Sequence, residues 1–157
     1  MTPDKLANSK TEHGHQCAVF CWANIVAKHG FKAATDAKCY GSQDYAAKNY
    51  GTADAVGTLN LMFAIPNGGE RNPIIGGKLK AEGVKSGVSD IMLPVPLHGY
   101  HGLFIELKKP TNKGATKQQI EFLSSMVQLG YAVKLAIGWQ DAVDTIQSYY
   151  DGTYSIT

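Results

Sequence analysis

The sequence predicts an α/β fold, a mixed β-sheet flanked by helices, and three observations carry that expectation. Two short apolar runs, 88–93 and 102–108, are joined by the connection Pro94 to His101 and can pair as antiparallel neighbours. A helix in capping-box form opens at Thr116, and after Gly130 the run Tyr131 to Ile137 is apolar on both faces apart from Lys134, as a central strand is. An amphipathic helix precedes this block and another follows it, which leaves helices to cover the sheet faces.

Taken in chain order, residues 12–29 read as a helix. Val19, Trp22, Ala23 and Val26 fall on one stripe, Lys28 and His29 suit the last turn, and Gly30 ends it. Carried backwards, the stripe brings Gln16 and Glu12 to the core-facing side, where polar groups need partners. These first turns either protrude into water or enter a cleft. Residues 33–57, rich in Ala, Gly, Tyr and Asp, read as an excursion with a short helix around Gln43 to Lys48. Leu59 to Ile65 reads as a strand stopped by Pro66-Asn67-Gly68-Gly69, a turn sequence. Asn72 and Pro73 suit the cap and first position of a short helix running towards Gly83. Phe122, Leu123, Met126 and Leu129 supply the apolar stripe of the helix after Thr116, and a last helix spans about Asp141 to Tyr150, ending at Gly152. Tyr149, Tyr150 and Tyr154 read as a frayed amphipathic terminus more simply than as a base-stacking platform.

At 157 residues the chain can bury one sizeable core and reads as a single domain over 1–157. No stretch approaches the roughly 20 apolar residues of a membrane span, and the polar start lacks the apolar segment of a secretory signal, so a soluble cytoplasmic protein is expected. Cys17, Cys21 and Cys39 are an odd number without framework spacing, which suits reduced thiols. His13-x-His15-x-Cys17-x-x-x-Cys21 has zinc-binding residue types, but helical spacing does not bring four of them together.

Net charge is only +2, yet it is unevenly distributed. From 78 to 117 there are seven lysines against Glu82, Asp90 and Glu106, a net +4, and the remainder of the chain is therefore −2. Such a surplus serves a phosphate-binding surface or an ordinary solvent face equally well.

The most informative run is Gly102-Leu-Phe-Ile-Glu-Leu-Lys-Lys109. In a strand Leu103, Ile105 and Leu107 share one face while Phe104, Glu106 and Lys108 share the other. Taken alone, Glu-x-Lys is ordinarily a surface ion pair worth little. Asp90, ending the polar part of Val84-Lys-Ser-Gly-Val-Ser-Asp-Ile-Met-Leu93, changes that reading, because it can lie beside Glu106 if the two runs are antiparallel neighbours. Two carboxylates and a lysine then converge, an arrangement that can hold a hard divalent cation and a scissile phosphate. His98 and His101, in the connection, are either solvated or poised to touch DNA or metal.

These segments, with Phe63 to Arg71, Leu79 to Pro94, Tyr100 to Pro110, Thr116 to Gly130 and Gly138-Trp139, resemble the VRR-NUC family of PD-(D/E)XK nucleases, most closely its stand-alone phage and bacterial members. Ser89 stands where the superfamily name has proline, and the 33–57 excursion lies outside the likeness. The resemblance implies a restriction-endonuclease-like fold and a metal-dependent endonuclease acting on DNA, on branched substrates such as Holliday junctions, as a homodimer. It implies that Asp90 and Glu106 bind Mg²⁺ or Mn²⁺, with Glu12 and the Leu107 carbonyl as further ligands, that Lys108 is the catalytic lysine, and that Gln119 is the glutamine of the following helix. Asn67, Arg71, Lys80, Lys85 and Lys109 are the residues expected to contact DNA. The alternative is a non-catalytic DNA-binding or scaffold module that keeps the fold.

Overall fold

The structure, a computed structural model, describes residues 2–31, 55–66, 77–79, 81–112 and 114–156. The expected helix at Gln43 to Lys48, Cys39, the Asn67 to Pro73 turn and cap, Lys80 and Lys113 lie outside the described residues. Of the 33–57 excursion only the last residues are described.

A short helix that the sequence reading did not anticipate, α1 (Pro3–Ala7), packs on α2 (Glu12–His29). Helix α2 matches its expected bounds. Thr11 caps it by accepting the Gly14 N–H at 3.0 Å, and Gly30 closes it at φ 80°, a conformation costly for any residue with a Cβ. Its apolar stripe is buried from Ala18 to Ala27, with Val19 and Val26 fully enclosed.

Helix α3 (Ala55–Thr58) leads into a 3₁₀ turn, Leu59–Leu61, where a strand was expected. The alternation of Leu59, Leu61 and Phe63 looks like a strand, but the buried pair is Leu59 and Met62, while Leu61 is 55% and Phe63 48% exposed. A spacing of three is met by one tight turn, closed by the Met62 N–H donating to the Leu59 carbonyl. Of the expected strand, β1 (Phe63–Ala64) alone pairs in the sheet as a strand. Residues 77–79 and 81 are helical, in keeping with a short helix ending near Gly83.

Strands β2 (Ile91–Leu93) and β3 (Leu103–Lys108) pair antiparallel in the register Ile91 with Ile105, as the short connection requires. Helix α4 (Lys117–Gln128) is the crossover that makes β4 (Ala132–Ile137) parallel to β3. Helix α5 (Gly138–Asp151) follows at once and ends on Gly152 in the left-handed conformation. The sheet order is β1-β2-β3-β4, so it is mixed, and β3 is central. Leu103, Ile105 and Leu107 face α2 and α5 in the main core, while Phe104 meets Phe122 of α4 edge to face on the opposite side. The fold is a sheet between helices, as expected.

Two further expectations are corrected. Among the described residues strand β4 is an edge, not a central strand. It is apolar on both faces because helices cover both, and its outer edge is occupied: the Tyr154 hydroxyl accepts the Val133 N–H at 3.0 Å and donates to the Val133 carbonyl at 2.6 Å. Lys134 pairs with Asp141 at 3.0 Å, and Asp141 also accepts the Ile137 N–H. The terminal tyrosines, in turn, are neither frayed nor a stacking platform. Tyr149 is fully buried and donates to the Val95 carbonyl at 2.7 Å; Tyr150 packs on Phe31 and its hydroxyl meets that of Thr58. Burial is tolerated because each hydroxyl has a partner.

The connection between the site strands docks on this aromatic cluster. His98 (φ 49°) and Gly99 (φ 87°) form its tight turn, the His98 imidazole donates to the Tyr150 carbonyl at 3.1 Å, and His101 meets Tyr131 edge to face. Both histidines have structural partners.

Among the described residues, no helix is long and apolar enough to cross a membrane. The Tyr149 bond yields a stability prediction. Tyr149→Phe leaves the Val95 carbonyl buried without its donor, at a cost of about 1–3 kcal/mol. Urea unfolding should show a lower midpoint with an unchanged slope; an unaltered midpoint would show that the hydroxyl contributes nothing.

Candidate functional site

The site lies on the face of β3 turned towards α4. Burial on this face is asymmetric. Glu106 is 1% exposed and Lys108 7%, so the pair is not the solvated surface ion pair that its spacing ordinarily signals. Lys108 Nζ lies 2.9 Å from Glu106 Oε1, and the Gln119 side-chain amide donates to the same oxygen. Glu106 Oε2 is buried with no hydrogen-bond partner among the described residues. A carboxylate oxygen in that state is costly to hold.

Asp90 reaches the same place from β2. Its backbone carbonyl accepts the Ile65 N–H at 2.8 Å, and the register of β2 with β3, carried one residue further, sets it opposite Glu106. Its side chain turns towards β3, where Oδ2 accepts the Leu107 N–H at 2.8 Å. The strand thus holds the aspartate through its own backbone.

Gln119 is brought in by the start of α4. Thr116 Oγ1 accepts the Gln119 N–H at 3.3 Å and Gln119 Oε1 accepts the Thr116 N–H at 2.8 Å, completing the expected capping box. Gly87, at φ 83°, lets the segment leading to Asp90 abut this turn: a Cβ there would come within 2.6 Å of Gln118 Cβ and 2.9 Å of its carbonyl carbon. This role of Gly87 is not legible in the sequence, since a close approach leaves no periodic signal.

Glu12 opens α2 and is exposed, yet its charge acts on Asp90, Glu106 and Lys108 alike. Behind it, buried His15 accepts the Trp139 N–H at 3.3 Å through Nδ1, tying α2 to the start of α5, and its burial lowers its pKa. His13 contacts Cys17 at 3.5 Å, so these residues make local bonds along and beside α2. Lys85 is exposed and Lys109 half-buried just after β3. Asn67, Arg71 and Lys80 fall outside the described residues.

The electrostatics follow from burial. Desolvation, with the charges of Asp90 and Glu12, pushes the Glu106 carboxyl up to about 7 although Lys108 opposes it. Asp90 is also raised, first by burial, against the Leu107 hydrogen bond. For Lys108 burial is the largest single influence and pulls downwards, but contact with Glu106 and the charges of Glu12 and Asp90 together leave it raised. The site carries more carboxylate than one ammonium neutralises.

A divalent cation would supply the missing charge. The partnerless Glu106 oxygen and the hard oxygen donors of Asp90 fit Mg²⁺ or Mn²⁺. Among the described residues no three His, Cys, Asp or Glu side chains are grouped to hold a metal ion, so the expected third carboxylate, Glu12, is not gathered with Asp90 and Glu106, and water and backbone oxygen would have to complete the shell.

No family model matches the chain, and no curated protein does. Among solved structures it is similar to one described as a "VRR_NUC domain protein", at 30% identity and a TM-score of 0.51, over 59% of this chain and 69% of that one. The likeness agrees with the mixed sheet and flanking helices described above, a restriction-endonuclease-like arrangement.

The raised Glu106 pKa predicts a pH-dependent stability. Because the folded carboxyl holds its proton up to about 7 against an ordinary 4.5, its contribution is complete below pH 4.5 and is lost as pH rises through about 7. Thermal melting in chelator should fall across this window more steeply for the native chain than for Glu106→Gln; parallel profiles would contradict the assignment.

Proposed function

We propose that this chain, a member of the VRR-NUC domain family by its likeness to that solved relative, is a metal-dependent endonuclease that hydrolyses DNA phosphodiester bonds. One observation supports the reading above the rest: a carboxylate buried to 1% exposure, with one oxygen held by Lys108 and Gln119 and the other left without a partner beside a second carboxylate. Such a group costs folding free energy when charged, and a cation meeting it would offset that cost.

In this reading Asp90, Glu106 and the Leu107 carbonyl would hold Mg²⁺ or Mn²⁺, and Glu12, whose charge already acts on both carboxyls, would serve as a further ligand only by moving inwards. The bound ion supplies a lower pKa for its water and positive charge against the phosphate. Lys108, an ammonium held at the edge of the site by Glu106, orients the attacking water or offsets the charge that grows on the phosphate. Gln119 holds Glu106 in place. Lys85 and Lys109, with Asn67, Arg71 and Lys80, contact backbone phosphates and position the strand, a role that fits the excess of lysine between 78 and 117.

The finer reading is a single nuclease domain of the stand-alone phage and bacterial type, cytoplasmic, cutting branched DNA such as a Holliday junction. A homodimer fits such a substrate, since two symmetric nicks need two active sites. A non-catalytic module keeping the fold would gain nothing from carboxylates aimed at phosphate without a cation.

The test is cleavage of four-way junctions, flaps and plain duplex with and without Mg²⁺. Glu106→Gln and Asp90→Asn should each lower nicking by about 10²–10³-fold, the scale on which groups acting on transition-state charge are felt, while DNA affinity stays near that of the native chain. Nicking that survives both substitutions would remove these residues from the mechanism. Equal rates on all three substrates would defeat the preference for branches, and binding without any nicking would favour the scaffold.

A further inference from the structure

The Gln119 amide faces two groups with opposite demands. Its carbonyl oxygen accepts the Thr116 N–H at 2.8 Å, and its NH₂ donates to Glu106 Oε1. Rotating the amide by half a turn would set NH₂ against the Thr116 N–H and oxygen against the Glu106 carboxylate, two repulsive contacts in place of two bonds. Orientation is therefore determined by the helix cap.

The cap is itself reciprocal, since Thr116 Oγ1 accepts the Gln119 N–H at 3.3 Å. This hydroxyl holds residue 116 in the extended conformation, φ −70° and ψ 159°, that points its N–H at the glutamine. The same turn is pressed from the other side by Gly87, three residues before Asp90. With Lys108 and Gln119 both on Oε1, the oxygen without a hydrogen-bond partner is Oε2.

We infer that Thr116 is a positioning residue: through the capping box it decides which end of the Gln119 amide meets Glu106, and thereby which carboxylate oxygen is left without a hydrogen-bond partner. The inference rests on the nuclease reading for its catalytic consequence but not for its geometry. A threonine acting only as a helix cap would influence the stability of α4 and nothing at Glu106.

The test uses the full chain. Thr116→Val removes the hydroxyl and keeps the shape; Thr116→Ser keeps the hydroxyl. The valine variant should lose about 10-fold or more of Mg²⁺-dependent nicking, the size of effect seen when the partner of a metal-site residue is removed, and serine should restore it. In a Gln119→Ala background the valine substitution should change nothing further, because the residue it acts through is gone. An equal fractional loss in both backgrounds would overturn the inference. A readout independent of activity is the Gln119 side-chain amide resonance, identified by its absence in Gln119→Ala. It should shift and broaden in Thr116→Val and stay in place in Thr116→Ser. An unmoved resonance in the valine variant would overturn the inference even if the chain nicks DNA, and a moved one in a chain that cuts no DNA would sustain the geometry while the nuclease reading fails.

Discussion

The burial of Glu106 is the constraint around which this structure is organised. A carboxylate almost without solvent, on the middle strand of the sheet, must be held by donors from elsewhere in the chain, and the fold supplies them from two directions. Lys108 comes from the same strand and the same face, and Gln119 from the helix that crosses over to the parallel neighbour. Neither reaches Oε2. Replacing such a pair by apolar residues of similar volume is often neutral or stabilising. The rest of the core offsets its cost: Leu103, Ile105 and Leu107 on the opposite face of the same strand are buried against α2 and α5.

The topology explains why these residues meet. Antiparallel pairing of β2 with β3 brings Asp90 level with Glu106, and the Leu107 amide, in the strand between Glu106 and Lys108, receives the aspartate side chain. A parallel partner for β3 demands a crossover, and the first turn of that crossover is where Gln119 sits. Its capping box therefore starts the helix and aims a side chain into the site together. Gly87 completes the arrangement, because any larger residue would push the Asp90 segment away from the helix.

Outside the site, the aromatic cluster does a different job. Tyr149, Tyr150 and Tyr154 anchor the C-terminal segment against the connection between β2 and β3 and cover the outer edge of β4. An exposed edge strand invites pairing with another chain, and a hydroxyl bonded to both the N–H and the carbonyl of Val133 blocks one such position. The strand that carries Glu106 is thus kept central on one side by β2 and on the other by a protected neighbour.

Local pattern in the sequence determined much of this. The extent of α2, the capping box at Thr116, the pairing of 88–93 with 102–108 and the common face of Glu106 and Lys108 follow from helical and strand periods, cap chemistry and a short connection, all of which act between residues near in sequence. Tertiary structure decided the rest. Leu59 to Ile65 alternates like a strand, yet Leu59 and Met62 turn inwards together because the surface they bury against is presented at a spacing of three. Strand β4 looked central because apolar faces report what covers them and not what lies beside them. The tyrosines, His15 and Gly87 took their roles from groups 21 to 124 positions away, and such distant partners leave no period in the sequence to read. The burial of Glu106 belongs to the same class, since the strand period determines its face and only the helix laid over that face removes the water.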